Sequence, residues 1–177
     1  MTTPQSEAER IRSYLVAQAA RLTIPQLVEK VRADCAPLAD VARAIPADRF
    51  RERPAPGEWS AAEVWSHIIH MNESGADAIE AILAGQPPPS PIPDRLGPAD
   101  PALADGAAAF ERYRARREEL LERVAAARGD EHLHLTIRHP MFGDLTWREW
   151  FLFMRVHDLD HLRQLQAIAA GLDGPAP

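Results

Sequence analysis

Lysine is nearly missing from this chain: Lys30 stands alone among 20 basic residues, the rest being arginine, alongside 16 prolines. A GC-rich coding background accounts for that bias, and no function follows from it. Cysteine occurs once, at Cys35, so no internal disulfide can form and a cytoplasmic setting is expected. That lone thiol reads as a small buried apolar group rather than a nucleophile. No stretch approaches the roughly 18 uninterrupted apolar residues of a membrane span. The opening MTTPQSEAERIRSYL puts acidic residues where a signal peptide has a basic start and an apolar run. Positive charge is not in excess either: the net charge is −6, which argues against a nucleic-acid partner. Repeats, heptads and low-complexity linkers are lacking too.

What is there is a globular composition, 46% hydrophobic and 26% charged over 177 residues, enough for one domain with a sizeable core. The prolines punctuate periodic segments. A first helix is predicted over Ser6–Leu22. A second opens at Pro25 and carries the apolar stripe Leu27, Val31, Leu38, Val41 and Ile45. After a loop over Pro46–Gly57, the segment WSAAEVWSHIIHMNESGADAIEAILAG starts with the capping box Ser60-x-x-Glu63 and stops at Gly85. QPPPSPIPDRLGPADP is a long connection. A further helix covers Leu103–Ala127, residues 130–145 are extended or turning, and a last helix runs from Thr146 to Ala170. The expected fold is all-α: a four-helix bundle with one long crossover and no clear strand pair.

The phase of the last helix, at about 100° per residue, places Trp147, Trp150, Phe151, Met154, Leu165 and Ile168 within one apolar arc. His157 and His161 fall near the middle of that arc as an i, i+4 pair. Asp158 lies at its inward edge, while Asp160 points well away. On the 60–84 helix, His67 shares a face with Val64, Met71, Ala78 and Ile82, and His70 sits about a sixth of a turn further round. Three imidazoles from two helices thus project into one interior, where each ring nitrogen must be satisfied. Neutral imidazole is the commonest protein ligand for zinc, and three protein ligands leave a coordination position open for water or substrate. His67, His157 and His161 are therefore the candidate metal ligands.

Other polar residues carry competing readings. Glu63 lies one turn before His67 and could accept from an imidazole, but its place in the capping box explains it. Asp158 either orients an imidazole N–H or pairs with an arginine. Arg117 falls inside the apolar arc formed by Phe110, Tyr113, Leu120, Leu121 and Val124. It must be paired, with Asp158 or Glu63, or reach a cavity to hold an anionic group. Asp158, Arg117 and Glu63 are the candidates for a catalytic role. His132, His134 and His139 fall in the loop region, with His139 placed to line a cavity mouth.

PAPGEWSAAEVWSHIIHMNES, followed much later by HPMFGDLTWREWFLFMRVHDLDHLRQLQAI, resembles the DinB/YfiT-like superfamily of candidate metalloenzymes. The shared pattern is a Trp-Ser helix start, one histidine about two turns into that helix, a P-x-FG-x-LTW loop and a terminal H-x-x-x-H helix. The resemblance implies an up-down-down-up four-helix bundle over residues 25–171, with 1–24 as an N-terminal helical extension and 172–177 as a flexible tail. It places the family's metal triad on His67, His157 and His161. It also implies a divalent ion, zinc first and nickel, iron or manganese as alternatives, and a homodimer. Low-molecular-weight-thiol S-transferases and isomerases using mycothiol or bacillithiol are among such relatives. The expectation is a metal-dependent thiol S-transferase or hydrolase acting on a small-molecule substrate. The alternatives are a non-catalytic metal- or small-ligand-binding bundle, in stress response or as an interaction module, and a metal-free polar core.

Overall fold

In the computed structural model of the chain, residues 6–93 and 97–172 are described. Three helices open on reciprocal capping boxes. In each, a hydroxyl accepts from the backbone three residues on, and the side chain there accepts from the cap's own N–H. The pairs are Ser6 and Glu9 for α1 (Glu7–Arg21), Thr23 and Gln26 for α2 (Ile24–Cys35), and Ser60 and Glu63 for α4 (Ala61–Leu83). Asp105 caps α5 (Gly106–Ala125) by accepting from the Ala108 N–H. The last helix, α6, spans Trp147–Leu172 without a break.

Two expectations need correcting. The apolar stripe from Leu27 to Ile45 is continuous, and all five residues are buried, but the helix carrying it is not. Ala36 and Pro37 keep right-handed helical angles, but Pro37 has no N–H to donate to the preceding turn, so the hydrogen-bond ladder is interrupted there and the chain divides into α2 and a short α3 (Leu38–Ala44). Residues 130–145 also contain an antiparallel hairpin, β1 (Thr136–His139) with β2 (Gly143–Thr146). Four-residue strands are too short to show a period-2 pattern. Gly143, at φ +73°, supplies the left-handed residue that a three-residue hairpin loop demands. Ile137 and Leu145 pair across the hairpin and are both fully buried, which fixes it on the bundle.

Side-chain pairings give the direction of each helix. Glu73 binds Arg112 and Glu80 binds Arg116, so α4 and α5 run parallel. His67 meets His157 while Gly75 abuts Trp150 and Met154, so α4 and α6 run antiparallel. Arg32 reaches Glu118 and Cys35 reaches the Tyr113 neighbourhood, so α2 opposes α5. The order is up-down-down-up, and two parallel consecutive helices require the long 84–105 connection. Each of α4 and the α2–α3 pair packs on both α5 and α6. The close approach of α3 and α5 depends on Gly106: a Cβ there would stand 2.4 Å from the Ala42 carbonyl oxygen.

The core between these helices holds Trp65, Trp147, Trp150, Tyr113, Phe50 and Phe151, all fully buried. Helix α1 lies against α6, with Leu15 and Ala19 buried. Arg148 of α6 holds its C-terminal end by donating to the carbonyls of Ala19 and Leu22. Among the described residues no helix is long and apolar enough to cross a membrane. Of the tail expected at 172–177, Leu172 is the buried last residue of α6, and 173–177 lie outside the described residues.

Candidate metal centre

His67 sits in the second turn of α4, and its buried imidazole (6% exposed) faces α6. His157 and His161, one helical turn apart on α6, face it. Nε2 of His157 lies 2.8 Å from Nε2 of His67, and the three ring centroids are 4.4–4.8 Å apart. One ligand nitrogen from each ring falls within 4.8 Å of the others. Among the described residues this is the one cluster of three or more His, Cys, Asp or Glu side chains so placed. Two imidazole nitrogens bound tetrahedrally to one zinc stand about 3.3 Å apart. The observed spacing brackets that value, and three neutral nitrogen donors suit zinc, nickel or iron, so the residues fit a divalent ion.

The two α6 imidazoles are set from behind. Nδ1 of His161 lies 2.9 Å from the Gln164 carbonyl oxygen Oε1, three residues along the same helix. Nδ1 of His157 lies 3.4 Å from Oδ1 of Asp158. Trp59, just before the Ser60 cap, stacks on the His161 ring at 5° between planes and meets His67 edge-on. Trp59 and Gln164 are contributors that helical phase alone misses. Gln164 could have been found from its i, i+3 offset to His161, whereas nothing local marks Trp59.

Asp158 has a second set of partners. Its Oδ2 accepts from the Tyr113 hydroxyl at 2.7 Å and from Arg117 Nη2 at 2.6 Å, with the Cys35 thiol at 3.5 Å. The Arg117 and Asp158 side chains are each 3% exposed. Burial alone would raise the carboxyl's pKa, but Arg117 and the His157 and Tyr113 hydrogen bonds outweigh it and hold it below the ordinary carboxylate value. Burial pushes the Cys35 thiol up to about 12, so the sulfur is an inert donor in this network. Arg117 is thus paired inside the bundle, and of its two candidate partners the structure selects Asp158. Glu63 is not brought to the imidazoles: it accepts from the Ser60 backbone and hydroxyl and pairs with Arg53. His70 lies 2.9 Å from the Pro93 carbonyl oxygen and is directed to the long connection.

A cavity of about 860 Å³ opens beside the three imidazoles. His67, His157 and His161 all line it, with Trp59, Met71, Ile92, Phe142 and Phe153. His139, at the end of β1, lines it too, and its Nδ1 accepts from the Met141 and Phe142 backbone N–H groups. His132 and His134 stay in the turn before the hairpin, away from this cavity.

Burial, helped by neighbouring His157 and His67, lowers the pKa of His161 from 6.5 to about 4, so its ring is neutral at pH 7 and able to bind metal. An unfolded chain takes up that proton near pH 6.5, the folded chain only near pH 4. The folded state is therefore favoured above pH 6.5, and this advantage, on the order of 3 kcal/mol, drains away as the pH falls towards 4. Urea melts of chelator-treated protein should lose midpoint concentration across that window, and a His161→Gln variant should show a flatter profile.

Fold and site together define a class: a helical bundle with an interior three-histidine cluster, one histidine on one helix and an i, i+4 pair on another. A family model described as the DinB superfamily matches residues 27–165, and the chain belongs to that superfamily. It is 23% identical over 137 residues to the uncharacterized protein YuaE of Bacillus subtilis, covering 68% of this chain and 83% of that protein. The crystal structure of TT2238, a four-helix bundle protein, superposes with a TM-score of 0.59 at 23% identity, covering 82% of this chain and 99% of that one. Membership in the superfamily supports a metal-associated bundle, and the three-histidine cluster is compatible with it.

Proposed function

We propose that this protein is a metal-dependent enzyme of the low-molecular-weight-thiol S-transferase or isomerase type, or a hydrolase, with its site at His67, His157 and His161. The observation that carries the reading is the cavity bordering all three imidazoles. A purely structural ion is closed off by a fourth protein ligand, whereas a catalytic one keeps a position for water or substrate. A divalent ion held there supplies a Lewis acid that lowers the pKa of a bound water or thiol to near neutrality.

The chain's own groups do the remainder. His67, His157 and His161 would hold the ion as neutral ligands. Asp158, fixed by Arg117 and Tyr113, keeps the His157 ring in orientation, and Gln164 does the same for His161. Trp59 shields one side of the cluster from water. Zinc is the first choice of ion; mycothiol or bacillithiol is the proposed thiol, and a dimer in the cytoplasm the proposed state.

The test is elemental analysis of untagged protein, then a panel of thiols with electrophilic and ester substrates. The expected result is about one ion per chain and thiol- or water-dependent turnover that chelation abolishes. A full metal complement with no turnover across the panel would instead favour a non-catalytic metal-binding bundle. No metal at all would leave only a polar histidine core.

A further inference from the structure

The cavity's walls say more about its occupant than the imidazoles do. Its inner surface is apolar, built from Ile11, Met71, Ile92, Phe142, Phe153 and Val156. Among the described lining residues the only charged side chains are Glu7, Asp160 and Arg163. All three are exposed, and Asp160 and Arg163 pair with each other at the rim at 3.8 Å. The polar groups of the interior are the three imidazoles and His139 on the hairpin, whose Nδ1 is taken up by the Met141 and Phe142 N–H groups. A carboxylate or phosphate carried inside would meet no cation among these residues to replace its hydration, a cost of several kcal/mol. An apolar body loses nothing there, and 860 Å³ is ample for a small molecule.

The outer wall comes from α1, through Ala8 and Ile11. This helix lies before residues 27–165, which the superfamily model matches. Arg148 ties its C-terminal end to α6, and Arg155 donates to the Tyr14 hydroxyl.

We propose that this cavity binds an uncharged, largely apolar small molecule, in the thiol-transfer reading the electrophile and not the polar thiol, its body enclosed between α1 and the β1–β2 hairpin and its single polar head at the three imidazoles. The apolar body rests on the walls alone; only the placing of the head rests on the metal reading above.

Two probes test it on the full chain. The first is N-phenyl-1-naphthylamine, a neutral apolar fluorophore, titrated into chelator-treated and zinc-loaded protein. Saturable binding with enhanced emission is expected in both. Ile11→Asp should weaken it at least tenfold with helicity unchanged, while Ile11→Leu should bind as the parent does. The second is a series of straight-chain alkyl hydroxamates on zinc-loaded protein, which needs no variant. Affinity should rise roughly three- to fourfold per methylene until the cavity is filled. A hydroxamate of equal chain length whose far end carries a carboxylate should bind at least tenfold more weakly than the methyl-ended one.

Failure of the fluorophore to bind either form, affinity independent of chain length, or equal binding of the carboxylate-ended chain would overturn the proposal. Fluorophore uptake by protein that takes up no metal would sink the metalloenzyme reading and leave the apolar chamber standing. Stoichiometric zinc without fluorophore uptake would do the reverse.

Discussion

Replacing His161 by alanine is expected to weaken divalent-metal binding by at least a hundredfold, while His134→Ala leaves it unchanged. The argument is one of donor count. With His161 gone, two imidazoles remain, and His67 and His157 lie on facing helices without the i, i+4 chelate that α6 provides. Removing a group that merely orients a ligand costs ten- to a hundredfold, so loss of a ligand itself should exceed that range. The substitution is a fair test because the ring is only partly buried, lining the cavity beneath Trp59. His134 controls for non-specific imidazole binding, since it lies in the turn near His132 and outside the cluster. A competitive chelator titration on both variants decides it, and a His161→Ala protein retaining one tightly held ion would remove this histidine from the centre.

The second large effect is on stability. Asp158→Ala should destabilise the fold by about 3–5 kcal/mol, a fall in Tm on the order of 10 °C. It leaves a guanidinium that cannot shed its proton, buried to 3% exposure, whose Nε and Nη1 already have no hydrogen-bond partner. The Tyr113 hydroxyl loses its acceptor as well. Arg117→Met should cost less, because the stranded carboxyl can neutralise itself by taking up a proton. The double variant should recover much of the loss, giving a coupling of about 2 kcal/mol or more in a urea-denaturation cycle. Additive single effects would mean the pair is incidental. Since the Asp158 carboxyl is depressed in the folded state, its contribution is present above the ordinary carboxylate pKa and fades as the pH drops through the folded value.

Much of this was readable in the chain, for local reasons. The Ser60–Glu63 capping box and the apolar stripes are short-range devices, and the helices at Glu7, Ala61 and Trp147 begin within a residue or so of where they were expected. Helical phase is equally local, and it put His67, His157 and His161 on inward faces before any contact was known. What escaped was decided over distance. Arg117 had two carboxylates to choose between, and only the placing of α5 and α6 diagonally across one bundle interior selects Asp158 over Glu63. Trp59 belongs to the site because the loop before α4 folds back over α6, which no periodicity encodes. The break at Pro37 was hidden because the apolar stripe continues on both sides of it. The cavity, a volume left between α1, the hairpin and two bundle helices, has no signature in any single segment.

Helix α6 is one uninterrupted rod of 26 residues that touches α1, α2, α3, α4 and the hairpin while carrying two of the three imidazoles. Because each residue turns the helix by about 100°, a one-residue deletion between Thr146 and His157 would swing both rings off their partner and move most core contacts with them. Substitutions along this rod trade one side chain at a time, whereas a change of length rewrites the whole register. The long connection between α4 and α5 is the opposite case, since residues can be gained or lost there without turning any of the three histidines. Two parts of one chain thus stand under unlike rules of inheritance: α6 can vary in letters but not in count, and the connection can vary in both.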